Sequence, residues 1–193
     1  ATGTTLTISF STKPTSAGSL TAVVTTNTLS SGTPVQVARV VPVITTSSAN
    51  LNADANSVTI AGFGFSSTAL SNVVTFNNGA SGTVTAATPT SLTVTFSAKP
   101  TSAGSLTAYV TTNSVVSGSG IQVATVRPVV TAATTSLSST ATTVTIAGFG
   151  FDPTAANNSV QFNNSAVGTV TSASATSLTV TFTTNPKIAG SVT

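Results

Sequence analysis

The sequence predicts an all-β protein made of repeated β-sandwiches, and three observations support this. Apolar residues alternate with Thr, Gln or Tyr along short segments, which is the period-two pattern of half-buried strands. No segment shows a sustained helical period. Finally, most of the chain is duplicated, because residues 42–107 match residues 128–193 at 38 of 66 positions without a gap.

The duplication has a period of 86 residues. P-V-I-T at Pro42 recurs as P-V-V-T at Pro128, and K-P-T-S-A-G-S-L-T at Lys13 recurs at Lys99. This period predicts three regions. The head (1–41) is the C-terminal part of a repeat, the central unit (42–127) is a complete repeat, and the tail (128–193) is the N-terminal part of a further repeat.

Five segments of the central unit are predicted to be strands, separated by residues typical of turns. The strands are 58–60, 74–76, 92–96, 106–110 and 121–123. Turns are expected at 77–82, 99–104 and 116–120, where Gly, Asn, Ser and Pro cluster. About seven short strands in one repeat is typical of an immunoglobulin-like sandwich.

The repeat also carries the residues of a known family. It opens at Pro42 and continues with V-T-I-A-G-F-G-F, V-T-F-N-N, T-S-L-T-V-T-F and A-G-S-L-T-A-Y-V. These segments resemble the IPT/TIG type of immunoglobulin-like domain, with its opening Pro, its I-x-G-x-x-F strand ending and its later G-x-x-x-V strand. The resemblance implies tandem immunoglobulin-like (IPT/TIG-type) β-sandwiches of a bacterial surface or filament protein. Such domains also occur in receptors, transcription factors and sugar-active enzymes.

The composition argues against catalysis. Charged residues make up 4% of the chain, against about a quarter in an ordinary soluble domain, and Cys, His, Met, Trp and Glu are absent. Acid/base catalysis and zinc binding depend mainly on the residue types that are rare or missing here. We therefore expect no enzyme activity, with no catalytic, cofactor-binding or metal-binding residues and no cofactor.

Two partner classes are also not expected. The net charge of +3 is spread along the whole chain, without the basic cluster that tracks a phosphate backbone, so no nucleic-acid partner is predicted. No apolar run reaches the roughly 18 residues of a membrane span.

The stretch T-I-A-G-F-G-F occurs at 59–65 and again at 145–151. A dinucleotide-binding loop needs a third Gly and a following helix, and neither is present. We therefore interpret the stretch as a strand ending in which the glycines let the strand bend. The Phe rings are then expected to face the core or the neighbouring repeat.

Two further side chains have distinctive positions in the sequence. Lys99 precedes Pro100 and is expected to be a solvated charge at a turn. Tyr109 is the only Tyr and is predicted to lie on the outer face of its strand. There it is either ordinary surface, which is the favoured interpretation, or an aromatic that touches a sugar ring.

The incomplete head and tail allow two interpretations. Either the repeats continue covalently on both sides, or the head of one chain completes the tail of another by strand exchange. Covalent continuation is favoured, because both fragments contain the equivalent of residues 87–107. Two fragments that complete one repeat by strand exchange would not both need this segment.

The sequence therefore predicts a structural protein at the cell surface or outside the cell. It would form a filament, stalk or fibre through self-association or through continuation of the same repeat array. The uncharged strands support this, since strand edges without charges need neighbours to cover them. The alternative is an adhesin or glycan-binding module with a cell-surface or glycan partner. Asp54, Asp152, Tyr109, Arg39 and Arg127 are not reproduced between repeats, which favours the structural role.

Overall fold

The structure, a computed structural model, describes residues 2–193. The chain forms strands joined by short turns, with 3-10 turns at Ala69–Ser71 and Ala155–Asn157. The strands of the head are β1 (Gly18–Ala22), β2 (Thr25–Thr26), β3 (Leu29–Ser30) and β4 (Val35–Val40). Those of the central unit are β5 (Val43–Ile44), β6 (Asn50–Asn52), β7 (Ser57–Phe63), β8 (Asn72–Phe76), β9 (Ser81–Thr88), β10 (Ser91–Ala98), β11 (Gly104–Thr112), β12 (Val115–Val116) and β13 (Ile121–Arg127). The tail contains β14 (Val129–Val130), β15 (Thr143–Phe149), β16 (Val167–Ser174) and β17 (Ser177–Thr184).

The central unit is built from two sheets. The first sheet has the order β5-β7-β10-β9, with antiparallel neighbours throughout. In the second sheet β11 lies between β8 and β13, and the short β12 pairs with the end of β11. Strand β6 adds to β13 in parallel. The chain therefore crosses between the sheets several times within one unit.

The inner faces of the two sheets share one apolar core. Ile60, Leu92 and Val94 from the first sheet are buried in the same cluster as Leu106 and Val110 from the second. This arrangement is consistent with a β-sandwich. Burial of these faces is the main stabilising contribution in a chain that has no disulfide or metal cluster within residues 2–193.

The alternating sequence explains which side chains form this core. Along β7, Val58, Ile60 and Gly62 are buried, while Thr59 and Ala61 are exposed, because successive residues of a strand point to opposite faces. The outward Thr side chains interact across strands. The hydroxyl groups of Thr85 and Thr95 are 3.1 Å apart, as are those of Thr171 and Thr181.

All five predicted strands are confirmed, each as part of a longer strand. Strands β5, β6, β9 and β12 were not predicted from the sequence, and the predicted turn at 77–82 is wrong at its end, where β9 begins. Gly82 pairs with Phe96 next to a bulge, and a Cβ atom at Gly82 would lie 2.4 Å from the carbonyl oxygen of Thr95. This glycine permits a close approach of two strands, a role that the sequence does not distinguish from that of a turn glycine.

The tail repeats the first sheet and the head repeats part of the second. Strands β14-β15-β17-β16 have the same order as β5-β7-β10-β9, and each long strand begins and ends 86 residues after its counterpart. In the head, β1 pairs with β4 as β11 pairs with β13. Residues 5–12, which correspond to β10, form no strand. The described head thus contains no sheet equivalent to the first, and the tail contains none equivalent to the second.

Candidate functional site at the unit junctions

The strand ending T-I-A-G-F-G-F is shaped by requirements inside its own unit. A Cβ atom at Gly62 would lie 2.2 Å from the carbonyl oxygen of Val43 and 2.4 Å from the ring of Phe65. Gly64 has a φ of +77°, a conformation that favours glycine. The first glycine therefore admits the Phe65 ring and the neighbouring strand, and the second turns the chain.

The second copy has the same local geometry. Gly148 would place a Cβ atom 2.2 Å from the carbonyl oxygen of Val129 and 2.4 Å from the Phe151 ring, and Gly150 has a φ of +73°. Phe65 and Phe151 are both buried. Of the two positions expected for the Phe rings, the core and the neighbouring repeat, the second Phe of each stretch takes the core.

The first Phe of the second stretch, Phe149, contacts the preceding unit. Phe149 is half-buried and packs against the core cluster of the central unit. The Lys99 ammonium lies 5.3 Å from the centre of the Phe149 ring, within the range of a cation–π interaction. Phe63, at the other junction, is 62% exposed.

Lys99 connects two parts of this junction. Its ammonium group also donates a hydrogen bond to the backbone carbonyl of Asp54, which follows β6. The expectation of a solvated charge at Lys99 is therefore wrong, since the side chain is half-buried between Asp54 and Phe149. A single sequence could not reveal this, because both partners are distant along the chain.

One backbone hydrogen bond occurs at both junctions. The amide of Ala17 donates to the carbonyl of Gly64 at 2.8 Å, and the amide of Ala103 donates to the carbonyl of Gly150 at 2.8 Å. These two bonds join residues that are equivalent in the repeat. Each one ties the loop before β1 or β11 to the strand ending of the next unit.

A turn of the central unit reaches back to the head at the first junction. Asn113 and Ser114 have φ values of 49° and 63°, and they form the tight turn between β11 and β12. The Asn113 amide donates to the Ser16 hydroxyl at 3.1 Å and to the Ala17 carbonyl at 2.9 Å. Arg39 donates to the Ser114 carbonyl at 3.2 Å. The head therefore contacts this turn of the central unit through the loop before β1 and through β4.

Tyr109 and Asp152, which the repeats do not share, lie in β11 and after β15, respectively. Tyr109 is 39% exposed on the outer face of β11, while its neighbours Ala108 and Val110 are buried, as predicted. Asp152 accepts hydrogen bonds from the Thr154 amide at 2.7 Å and from the Asn157 side chain at 3.0 Å. These bonds, the Thr154 bond foremost, hold the pKa of Asp152 below its ordinary value.

Within residues 2–193, no three His, Cys, Asp or Glu side chains are grouped so that they could hold a metal ion. The part of the chain that the structure describes also contains no helix long and apolar enough to cross a membrane. Comparisons with family models, with curated proteins and with solved structures found no match for the chain.

Proposed function

We propose that this is a non-enzymatic structural protein whose tandem immunoglobulin-like units form an extracellular filament, stalk or cell-surface fibre. The strand order supports the immunoglobulin-like assignment. The order β5-β7-β10-β9 corresponds to strands A-B-E-D of that fold, and β8-β11-β13 corresponds to C-F-G. The IPT/TIG resemblance implies the same fold.

The observation that carries this proposal is the repeated junction. The bonds from Ala17 to Gly64 and from Ala103 to Gly150 have the same length and join equivalent residues. Contacts of this kind limit the rotation of one unit relative to the next. When the same relation between neighbours recurs, repeat units stack into a linear array in which each unit contacts only its neighbours.

The surface of the chain also supports assembly. Charged residues amount to only 4%, so little electrostatic repulsion keeps copies apart. The strands present Thr and Val, which suit pleated surfaces, and few charges protect their edges. A protein that stays monomeric in solution usually has many surface charges of both signs and protected strand edges.

Electron microscopy of the native material tests the proposal, together with the polypeptide mass under denaturing conditions. We expect fibres with an axial series of small beads, one for each sandwich. Native material that consists of a dispersed globular monomer near 18.8 kDa would contradict the proposal.

The proposed location has its own test. Protease treatment and antibody labelling of intact cells should reach the protein without permeabilisation. Labelling that appears only after the cells are permeabilised would contradict the extracellular assignment.

The exposed ring of Tyr109 favours the alternative of a glycan-binding module, because aromatic faces stack on sugar rings. A glycan array discriminates between the two functions. Binding that Tyr109→Ala abolishes would favour the adhesin. If the protein is structural, neither the parent chain nor this variant should bind.

A further inference from the structure

The turn between β8 and β9 contains the only Asn-Gly pair of the sequence, Asn78-Gly79. The two residues have φ values of 57° and 68°. The Ala80 amide donates to the Asn77 carbonyl across them at 3.2 Å. This is the geometry of a type I′ turn, in which both central residues need a positive φ and Asn-Gly is strongly preferred. The backbone of the turn thus accounts for the pair.

An Asn-Gly pair is also chemically labile. The Gly79 backbone nitrogen can attack the side-chain carbonyl carbon of Asn78, because glycine has no side chain that blocks the approach. A new C–N bond forms, the bond to the side-chain amide nitrogen breaks, and ammonia leaves with the proton of the Gly79 amide. Water then opens the succinimide ring and gives Asp or isoaspartate. One amide and one water molecule thus become a carboxylic acid and ammonia, without an enzyme or an oxidant.

The Asn78 side chain is clamped by the loop that precedes β11, which we call the junction loop (residues 99–103). Its amide nitrogen donates to the Ser102 carbonyl at 2.6 Å. Its oxygen accepts from the Ser102 hydroxyl at 2.8 Å and from the Thr101 hydroxyl at 3.1 Å. Ring closure moves the side-chain carbonyl carbon onto the Gly79 nitrogen and releases the amide nitrogen. The reaction therefore has to break this set of hydrogen bonds.

The backbone of Asn78 is fixed by the same loop. Its carbonyl accepts from the Thr101 amide at 3.0 Å and from the Thr101 hydroxyl at 3.2 Å. Asn78 is half-buried, whereas Gly79 is exposed, so water can reach the ring once it has formed. The rate of the reaction should therefore follow the small fraction of molecules in which the junction loop is open.

The junction loop also carries two contacts with the tail. The Lys99 ammonium lies beside the Phe149 ring, and the Ala103 amide donates to the Gly150 carbonyl. Deamidation would change the clamp at its donor. A carboxylate has no N–H for the Ser102 carbonyl and places a negative oxygen against it. The residue that the loop protects thus also helps to hold the loop in place.

We propose that Asn78-Gly79 is a latent deamidation site whose reaction releases the junction loop and loosens the contact between the central unit and the tail. The inference does not depend on the proposed function. The pair is protected while the loop is closed. Each opening exposes it to a reaction that water does not reverse, so the extent of deamidation increases with the time that the loop spends open.

Peptide mass spectrometry after incubation at mildly alkaline pH tests the protection. Conversion of Asn to Asp changes the peptide mass, and fragmentation assigns the change to Asn77 or Asn78. We expect Asn78 to react about 100-fold more slowly in the folded chain than in the same chain unfolded in guanidinium chloride, because about three hydrogen bonds have to break. In the unfolded chain Asn78 should react faster than Asn77, which is not followed by glycine.

Two serine variants provide a matched pair. Ser102→Ala removes a hydroxyl that donates to the Asn78 side chain, and it should accelerate deamidation of the folded chain by about three- to tenfold. Ser105 is exposed and contacts the turn through its backbone carbonyl, so Ser105→Ala should leave the rate unchanged. In guanidinium chloride both variants should react like the parent chain, because the clamp is then absent.

Hydrogen exchange of the Asn78→Asp chain tests the consequence for the junction. The Ala103 amide should exchange about tenfold faster than in the parent chain, because the loop that carries it is released. The Ala17 amide is the internal control, since it makes the equivalent bond to Gly64 at the other junction. It should exchange at the rate of the parent chain.

Four outcomes would overturn the proposal. They are an absence of reaction at Asn78 in the unfolded chain, equal rates at Asn78 in the folded and unfolded chains, equal acceleration by Ser102→Ala and Ser105→Ala, and unchanged exchange of the Ala103 amide in Asn78→Asp. The comparison of the folded and unfolded parent chain needs no variant, so it tests the protection even if a substitution prevents folding.

Discussion

Phe63 and Phe149 occupy the same position in two identical stretches, yet one ring is exposed and the other is half-buried. Each stretch packs its second Phe and its first glycine in the same way within its own unit. The difference lies in contacts outside the stretch. Phe149 packs against the core cluster of the central unit, with the Lys99 ammonium 5.3 Å from its ring centre, whereas the Phe63 ring is 62% exposed. One sequence motif thus combines an internal role with an external role that depends on its neighbour.

The glycine substitutions should have the largest effect and should be similar at both sites. Gly62→Ala and Gly148→Ala each place a methyl group against a backbone oxygen and a Phe ring of the same unit. We expect each to lower the free energy of unfolding of its unit by about 3 kcal/mol. Gly120→Ala is the control, because its Cβ would lie 3.4 Å or more from other atoms. Hydrogen exchange read separately for the two units is the measurement, and an effect at only one site would contradict the shared internal role.

Truncation of the first Phe of each stretch should lower stability by different amounts at the two junctions. Phe149→Ala removes a ring that packs on the central unit, and we expect a loss of about 2 kcal/mol in the unfolding of the tail. Phe63→Ala removes an exposed ring and should cost less than about 0.5 kcal/mol. Denaturant unfolding monitored unit by unit gives both values. Equal losses would show that the preceding unit is not what stabilises Phe149.

The Lys99 charge beside Phe149 should contribute less to the stability of the tail than the Phe149 ring does. Lys99→Gln removes the cation–π interaction, and we expect a loss of about 1 kcal/mol in tail stability. The equivalent Lys13 is exposed in the head, so Lys13→Gln should leave the unfolding of the central unit unchanged. In the double variant with Phe149→Ala, the effect of Lys99→Gln should largely disappear, which a double-mutant cycle measures.

The smallest effect concerns pH and the tail alone. The hydrogen bonds to Asp152 lower its pKa below 3.8, so their contribution to stability is present above pH 3.8 and is lost as the pH falls through the lowered pKa. The tail should therefore unfold at slightly lower temperature in acid. Ser66 occupies the equivalent position and its hydroxyl accepts the Thr68 amide at 3.2 Å. Asp152→Ser should keep the turn and remove this pH dependence, and a dependence that persists would have to come from another group.

The sequence alone was sufficient for the five longest-patterned strands of the core, β7, β8, β10, β11 and β13. Alternation of Val, Ile and Leu with Thr identifies an inward face, since a strand has a period of two whatever surrounds it. Short edge strands such as β5 and β12 were not predicted, because two residues are too few to show a periodic pattern. Strand β9 was not predicted because the Gly and Ser at its start are typical of a turn.

The junction could not be derived in this way, because its contacts join residues that are far apart along the chain. Lys99 meets Asp54 and Phe149 only after the sheets have formed, and the two identical Phe residues acquire different environments. The local sequence pattern indicates the face of the strand on which a side chain lies. The three-dimensional arrangement of neighbouring units sets whether that face is covered, because burial depends on atoms that other parts of the chain contribute.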